Sequence, residues 1–217
     1  MITLYTASVE NLPDPRKHPA CLESLGKIRQ EKTLRFIQEK DRKLSLGAGL
    51  LLHKILPIYG KDICDIYTDA NEKPLIQGLH FNLSHSEERI LLAISDSAIG
   101  CDIEKIAKAS FDLAEHFFCP DENNYLSGIV DENRKNQAFF RLWTVKESYV
   151  KMTGEGLGLP LNSFEARLGE TAEGTAAIYQ NSKPVSCFVR EYTLGEYQAA
   201  VCAEEKIMAD EPKIVVF

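Results

Sequence analysis

The spacing of apolar residues divides the first part of the chain into strands and helices. "MITLYTASV" alternates loosely between apolar and polar positions, as a half-buried strand does. "CLESLGKIRQEKTLRFIQEKDRKLSLGAGLLLHKIL" follows a helical period and predicts two segments, the second apolar nearly all round and therefore buried. "ICDIYTDANEKPLI" is typical of strand, turn and strand. "HFNLSHSEERILLAISDSAIGCDIEKI" predicts three further strands, the first ending at a Ser-His pair.

A similar order of elements returns in the second part of the chain. "FDLAEHFFCPDENNYL" is helical and broken at Pro120, and "NQAFFRLWTVKESYVKMTG" is a strong helix that Gly154 ends. "PVSCFVREYT" and "YQAAVCAE" are β-like. The repeated order predicts an α+β fold of two halves, residues 1–100 and 101–217. We expect the halves to pack tightly, because no Pro-, Ser- or Gly-rich linker lies near Gly100. An internal duplication is suggested by element order, without a repeat at the level of residues.

Composition narrows the class of protein. The chain has 217 residues, 44% of them hydrophobic, which is enough to bury a core without disulfides. Its six cysteines form no CxxC pair, so we expect reduced thiols in a cytoplasmic protein. The net charge of −7 argues against a nucleic-acid binder. No signal peptide and no long apolar run is present, so no membrane association is expected. A local basic patch is still present on the first helical segment: Lys27, Arg29, Lys32, Arg35, Lys40, Arg42 and Lys43.

Three acidic residues are candidates for a metal site. Asp102 and Glu104 in "IGCDIEKI" lie two apart on a strand and share one face, while Cys101 and Ile103 face the core. Glu147 lies on the "LWTVKESYVK" helix. If this helix packs across the strand, the three carboxylates converge and offer hard oxygen ligands for Mg²⁺ or Mn²⁺. The alternative is a solvated edge of the sheet.

The same helix separates polar from apolar faces. Trp143, Glu147 and Lys151 recur every four residues and share one face. The alternative for Glu147 and Lys151 is an ordinary ion pair along the helix surface. A neighbouring stripe is predicted to lie in the core: Leu142, Val145, Tyr149 and Met152.

Two other short motifs carry polar side chains. "NLSHS" places Ser84 and His85 side by side on a strand, where they point to opposite faces, so they are not a nucleophile and its base. One of them could bind a phosphate, or the pair is only a polar strand end. "NEKPL" offers Lys73 and Pro74, first as a turn and second as a ligand contact. The chain has neither a GxGxxG nor a Walker A loop, so a nucleotide would need another arrangement.

Taken in order, "FNLSHS", "IGCDIEK" and "FFRLWTVKESYVKMTGEGLGLPLNSF" resemble the 4′-phosphopantetheinyl transferases of the larger, surfactin-synthetase-activating type. The resemblance covers essentially the whole chain and is densest from Lys73 to Phe164. It implies two similar α+β halves related by a pseudo-twofold axis, with coenzyme A in the cleft between them. It also implies Mg²⁺-dependent transfer of the 4′-phosphopantetheine arm of coenzyme A to a serine of an acyl, peptidyl or polyketide carrier-protein domain. The by-product would be 3′,5′-adenosine bisphosphate.

The resemblance also assigns roles by position. Asp102, Glu104 and Glu147 would hold the metal, and Lys151 would neutralise charge on the pyrophosphate. Glu147 would either take the serine proton itself or orient a water on the metal that takes it. The expected contacts with coenzyme A are Ser84 and His85 for phosphate, Lys73 and Pro74 for the border of the adenine, and Arg29, Lys32 and either Arg42 or Lys43 for the 3′-phosphate.

Two positions depart from the family pattern, since Glu72 replaces a glycine before Lys-Pro and Leu75 replaces a frequent aromatic residue or histidine. These departures bear on the adenine contact. Two other functions stay open: a relative that binds coenzyme A or carrier proteins without transfer, and an unrelated Mg²⁺-dependent phosphoester hydrolase. Because both walls of the cleft would lie in one chain, a monomer is expected. The larger type favours carriers of secondary-metabolite synthases, which must dock on a local basic or apolar patch.

Overall fold

Two β-sheets stacked face to face, with helices on their outer faces, form the α+β fold that the element order predicts. The structure is a computed structural model that describes residues 2–71, 73–170, 174–206 and 211–217, leaving out the side chain of Ile28. The α-helices are α1 (Lys27–Arg35), α2 (Glu39–Ile55), α3 (Phe111–Phe117), α4 (Pro120–Ser127) and α5 (Glu132–Thr153). The strands are β1 (Thr3–Ser8), β2 (Tyr67–Thr68), β3 (Pro74–Leu75), β4 (His80–Ser86), β5 (Arg89–Ser95), β6 (Ile99–Lys105), β7 (Glu165–Arg167), β8 (Thr175–Gln180), β9 (Lys183–Pro184), β10 (Phe188–Leu194), β11 (Tyr197–Ala203) and β12 (Lys213–Val215). Short 3-10 helices span Pro19–Leu22, Leu56–Tyr59, Ile63–Asp65, Gly156–Gly158 and Leu161–Ser163.

The strand order places β4 and β6 at the ends of their sheets. The first sheet has the order β12-β1-β5-β4, in which β12 is parallel to β1 and the other pairs are antiparallel. The second has the order β6-β11-β10-β8-β7, with β9 paired to β8, and its pairs are antiparallel. A hydrogen bond from the amide of Cys101 to Asn82 Oδ1, 2.9 Å long, joins β6 to β4. The two sheets therefore meet along the strands that carry the candidate site residues.

Both faces of β5 are buried, which explains its unbroken apolar sequence. Leu91 and Ala93 pack against Cys101 and Ile103 of the second sheet, as predicted for those two β6 residues. The alternate residues of β5 pack against α2, whose helical run is buried as predicted. On the far side, α5 packs its predicted core stripe against the second sheet. A strand covered on both faces gains nothing from polar alternation, so residues 90–94 of β5 are all apolar.

Two helices begin at positions other than predicted, and one of them is α5, which starts at Glu132 rather than Asn136. The apolar run from Cys21 predicts a helix, but α1 begins at Lys27, directly after Gly26, and Pro19–Leu22 forms a separate 3-10 turn. The turn and the helix are divided at Ser24 to Gly26, because glycine in an extended conformation interrupts the helical hydrogen bonds. The break at Pro120 and the end of α5 at Gly154, with φ of +77°, are confirmed.

The division at residue 100 stays a prediction. Strand β6 begins just before it and belongs to the second sheet, while the C-terminal strand β12 returns to the first sheet beside β1.

Glu72, one of the departures from the family pattern, lies outside the described residues. The six cysteines, all within the described ranges, are free thiols. Among the helices of the described residues, none is both long and apolar enough to cross a membrane.

Candidate active site

Helix α5 approaches β6 at Gly100, and this contact brings the site together. A Cβ on Gly100 would overlap the backbone oxygen of Ser148 and the backbone nitrogen of Met152. Glycine therefore lets the helix lie directly on the strand. Two residues further along β6, Asp102 points to the same side and faces the helix. The local sequence "IGCDIEK" thus supplies both the close approach and the carboxylate.

Lys151 and Asp102 form the central ion pair of the site. Lys151 Nζ lies 2.6 Å from Asp102 Oδ1, and Asp102 is 3% exposed, so a solvated sheet edge is wrong for this residue. Ser84 Oγ donates to the same oxygen at 2.8 Å and accepts from Lys151 Nζ at 3.1 Å. Burial lowers the pKa of Lys151, but the Asp102 carboxylate outweighs burial and raises it overall, so the ammonium keeps its charge.

The other two acids surround this pair. Glu104 is half-buried and accepts a hydrogen bond of 2.7 Å from Ser86 Oγ. Glu147 is half-buried one helical turn before Lys151, and both acids line the same cavity of about 410 Å³ with Asp102. Burial first, and then the charge of Asp102, raise the pKa of both Glu104 and Glu147. The three carboxylates that the sequence predicts therefore line one cavity.

The arrangement fits a cation whose coordination is completed by a substrate. Asp102 Oδ2 is buried and has no hydrogen-bond partner among the described residues, which is the state of an oxygen reserved for another ligand. Within the described ranges, no three Asp, Glu, His or Cys side chains lie close enough together to hold a metal ion by themselves. Mg²⁺ usually binds one or two protein carboxylates together with waters and substrate phosphates, so an incomplete oxygen set suits it.

A second cavity, of about 740 Å³, lies beyond β4 and has an apolar floor with a basic rim. Its rim includes Arg29, Lys32 and His85, and Pro74 lies on its wall. Arg29 donates to the backbone oxygen of Ser45 at 3.1 Å, whereas its Nε is buried without a partner among the described residues. Burial lowers the pKa of both Arg29 and His85. The guanidinium of Arg29 keeps its charge and attracts an anionic group, whereas the lowered pKa of His85 favours its neutral imidazole.

Strand β4 lies where the two cavities meet. Leu83 and His85 border both cavities, while Ser84 points away from the basic rim toward Asp102. The prediction that Ser84 and His85 face opposite sides is confirmed. The phosphate contact expected of Ser84 stays a prediction, and its hydroxyl bonds to Asp102 and Lys151.

Arg42 does not reach the cavity, which corrects the predicted contact with the 3′-phosphate. Its guanidinium is buried and donates to both oxygens of Asp14 at 2.8 Å, and to the backbone oxygens of Phe36 and Ile37. A bidentate pair of this kind occupies the guanidinium N–H donors that would otherwise bind a phosphate. Lys43 forms an ion pair of 3.6 Å with Glu39 and does not line this cavity.

Lys73 contacts the end of α5. Its Nζ donates to the backbone oxygen of Lys151 at 2.6 Å, and Asn71 Nδ2 donates to that of Gly154 at 2.9 Å. Burial lowers the pKa of Lys73. The lysine caps free carbonyls at the C-terminus of α5, as basic side chains often do. Lys73 and Pro74 both line a third cavity, of about 730 Å³, which also contains Trp143, Glu147 and Lys151.

Sequence reasoning missed one buried charge in the "VKES" segment. Lys146 is fully buried, and its Nζ lies 2.6 Å from both Glu122 Oε1 of α4 and the backbone oxygen of Phe164. Glu122 also accepts from the amide of Ala166 at 2.6 Å. This group ties α5 to α4 and β7 behind the site. Its only local signal is that Lys146 falls four residues after Leu142, at a core position of the helix.

Comparison with known proteins agrees with the motifs. Residues 98–202 match the family model of the 4′-phosphopantetheinyl transferase superfamily. The chain is 36% identical over 187 residues to the 4′-phosphopantetheinyl transferase psf-1 of Bacillus pumilus, covering 83% of this chain and 78% of the relative. It is 34% identical over 182 residues to the 4′-phosphopantetheinyl transferase Sfp of Bacillus subtilis (strain 168), covering 81% and 80%.

A likeness among solved structures is weaker. A holo-(acyl-carrier-protein) synthase from Bacillus anthracis, in complex with CoA (3′,5′-ADP), is 19% identical, with 49% of this chain and 94% of that chain covered and a TM-score of 0.41. The assignment rests on the sequence relatives, which exceed a third of identical residues over most of both chains. The chain belongs to the 4′-phosphopantetheinyl transferase family of enzymes, and within it to the surfactin-synthetase-activating type.

Proposed function

We propose that this protein transfers the 4′-phosphopantetheine arm of coenzyme A to a serine of an acyl, peptidyl or polyketide carrier-protein domain, with Mg²⁺ as cofactor. The observation that carries the proposal is the continuity of the cavities. The nucleotide-sized cavity with Arg29 and Lys32 on its rim meets the acidic cavity at Leu83 and His85. The pyrophosphate of coenzyme A, crossing that border, would lie beside Lys151 and the three acids. Pockets of several hundred Å³ with few convergent polar groups are typical of cofactor sites.

The residues of the chain divide the work of phosphoryl transfer. Arg29 and Lys32 hold the 3′-phosphate of coenzyme A, and Pro74 borders the adenine. Asp102, Glu104 and Glu147 would hold the Mg²⁺, for which Mn²⁺ can substitute. When bound, the ion supplies positive charge that offsets the charge of the pyrophosphate. Lys151 adds a permanent positive charge beside it, because its pKa is raised by Asp102.

The reaction forms one phosphorus–oxygen bond and breaks another. The carrier serine oxygen attacks the phosphorus next to pantetheine, and 3′,5′-adenosine bisphosphate leaves with the electron pair of the broken bond. Glu147 would either take the serine proton itself or orient a water that takes it, and burial together with the charge of Asp102 raises its pKa, which favours proton uptake. The nucleophile comes from the partner, so the chain needs no activated serine or cysteine of its own.

Mass spectrometry of apo carrier proteins tests the proposal. With coenzyme A and Mg²⁺, the carrier should gain the mass of one phosphopantetheine and release an equal amount of 3′,5′-adenosine bisphosphate, and a chelator should abolish both. A carrier whose target serine is replaced by alanine is the control. No mass gain with acyl, peptidyl and polyketide carriers would refute the function. Release of the nucleotide without any carrier would indicate a hydrolase, and binding of coenzyme A without transfer would indicate a non-catalytic relative.

The carrier and the cellular setting complete the proposal. We expect a cytoplasmic monomer that serves secondary-metabolite synthases, and the free thiols in the described ranges agree with a reducing compartment. Competition between fatty-acid and peptide-synthetase carriers measures the preference. Equal or better use of the fatty-acid carrier would contradict the expected preference while leaving the chemistry intact.

A further inference from the structure

Two serines of β4 support two acids of β6 in the same register. Ser84 and Ser86 lie two residues apart on β4. Each donates a hydrogen bond to one of two carboxylates, which also lie two residues apart on β6. Ser84 Oγ donates to Asp102 Oδ1 at 2.8 Å, and Ser86 Oγ donates to Glu104 Oε2 at 2.7 Å. The spacing matches because residues i and i+2 face the same side on both strands.

The direction of each hydroxyl proton follows from its second contact. Ser84 Oγ accepts from the ammonium of Lys151 at 3.1 Å, and Ser86 Oγ accepts from the backbone amide of Lys105 at 3.1 Å. Both groups are donors, so they direct the hydroxyl proton toward the carboxylate. The amide of Lys105 belongs to β6 itself, next to Glu104. Ser86 is therefore held by the strand whose side chain it orients.

The consequence is that one oxygen of each acid is bound and the other is left for a ligand. Asp102 Oδ2 has no partner among the described residues, and the hydrogen bonds found within them use Glu104 Oε2 rather than Oε1. Hydroxyls that fix a carboxylate in this way act as the outer partners of metal ligands.

We propose that Ser86 is a positioning residue that holds Glu104 for the metal ion, while Ser84 holds Asp102. The inference rests on the proposed function, since it concerns the same metal. It assigns the last serine of "NLSHS" to the metal site through Glu104, without contact between Ser86 and coenzyme A. Removal of Ser86 should weaken metal binding, while the affinity for coenzyme A itself changes little.

Direct titration with Mn²⁺, followed by electron paramagnetic resonance in the presence of coenzyme A, tests this role. Ser86→Ala should raise the dissociation constant of Mn²⁺ by roughly 10–100-fold, the usual cost of losing an outer partner of a metal ligand. Ser86→Thr keeps the hydroxyl and suits a strand, so it should bind Mn²⁺ close to wild type. Ser97→Ala, in the turn between β5 and β6, is the control and should bind as wild type.

A double variant separates positioning from a general structural effect. Because Ser86 acts through Glu104, adding Ser86→Ala to Glu104→Gln should weaken Mn²⁺ binding little beyond Glu104→Gln alone. If Ser86→Ala does not fold by circular dichroism, Ser86→Cys provides a side chain of similar shape and a weak donor, with the same loss expected.

The outcomes distinguish this inference from the proposed function. Mn²⁺ affinity that is unchanged in Ser86→Ala, in an enzyme that transfers phosphopantetheine, overturns the inference alone. Additive losses in the double variant overturn it as well. If the wild-type protein does not bind Mn²⁺ and does not transfer phosphopantetheine to any carrier, both the inference and the proposed function are refuted.

Discussion

Lys151 of α5 and Asp102 of β6 form an ion pair of 2.6 Å that uses one carboxylate oxygen, while the other, Oδ2, stays buried without a partner in the described part of the chain. Lys151 therefore forms its ion pair with a residue of the neighbouring strand. Among the salt bridges of the described residues, none joins Lys151 to Glu147 on its own helix. A buried acid with one oxygen neutralised and one unsatisfied has a strong preference for a cation.

Removal of the acids should abolish transfer. We expect Glu147→Gln to lower kcat by about 10²–10⁴-fold, the usual contribution of a general base, and Asp102→Asn to lose most turnover because the ion pair with Lys151 is weakened. The assay is the rate of holo-carrier formation by mass spectrometry. Glu132→Gln, an exposed acid at the start of the same helix, should retain full activity. Full activity in both site variants would contradict the assigned metal site.

The contact between Gly100 and α5 should not tolerate a methyl group. Gly100→Ala places its Cβ against the backbone of Ser148 and Met152, which cannot move as a flexible side chain does. We expect the free energy of unfolding to fall by about 3 kcal/mol or more, together with a loss of activity, as α5 is pushed from Asp102. Gly128→Ala is the matched control, since its nearest atoms lie 3.5 Å away. Equal urea midpoints for Gly100→Ala and wild type would show that the helix is not seated this closely.

The buried pair of Lys146 and Glu122 should be costly to break. Lys146→Met leaves Glu122 charged and buried, so we expect a loss of about 3–5 kcal/mol in the free energy of unfolding. The double variant Lys146→Met/Glu122→Gln should recover part of this loss, because the isolated charge is gone. Urea denaturation of the three proteins measures both steps. A double variant less stable than Lys146→Met would argue that Glu122 is stabilised mainly by Ala166.

Arg29 should contribute to the binding of coenzyme A, whereas Arg35 on the same helix should not. Arg29→Met removes a buried donor that faces the second cavity, so we expect KM for coenzyme A to rise roughly tenfold or more, the value of a charge-assisted hydrogen bond. Arg35→Met makes the same change of charge at an exposed position of α1, and its KM should stay close to wild type. Steady-state kinetics at two salt concentrations separates a local contact from general attraction. Equal effects of the two variants would remove Arg29 from the site.

Asp14 should make stability depend on pH. The guanidinium of Arg42, through its hydrogen bonds, holds the pKa of Asp14 well below its ordinary value of 3.8. An acid with a lowered pKa stabilises the fold above its ordinary pKa, and this contribution is lost as the pH falls further. Asp14→Asn should therefore have a lower urea midpoint than wild type at neutral pH, and the difference should narrow between about pH 5 and pH 3. A constant difference across this range would show that Asp14 is not the titrating partner.

Periodicity and motif order, both properties of the sequence by itself, determined the elements and the identity of the acids. The i, i+2 spacing places Asp102 and Glu104 on one face whatever the strand packs against, and the i, i+4 spacing does the same for Trp143, Glu147 and Lys151. Burial of Cys101 and Ile103 on the opposite face follows from the same alternation. These features depend only on backbone geometry, so they could be predicted before the fold was known.

The partners of the charged residues were decided only by the tertiary structure. Arg29 and Arg42 cannot be told apart by their place in the basic segment. Arg42 forms an ion pair with Asp14, 28 residues before it, whereas Arg29 lines the cavity. Lys146 and Lys151 lie on one helix, yet they have different partners. Lys146 pairs with Glu122 in the interior, whereas Lys151 pairs with Asp102 in the site. A charge pairs with whichever opposite charge the fold brings within a few ångströms, and that distance is not encoded in the local pattern.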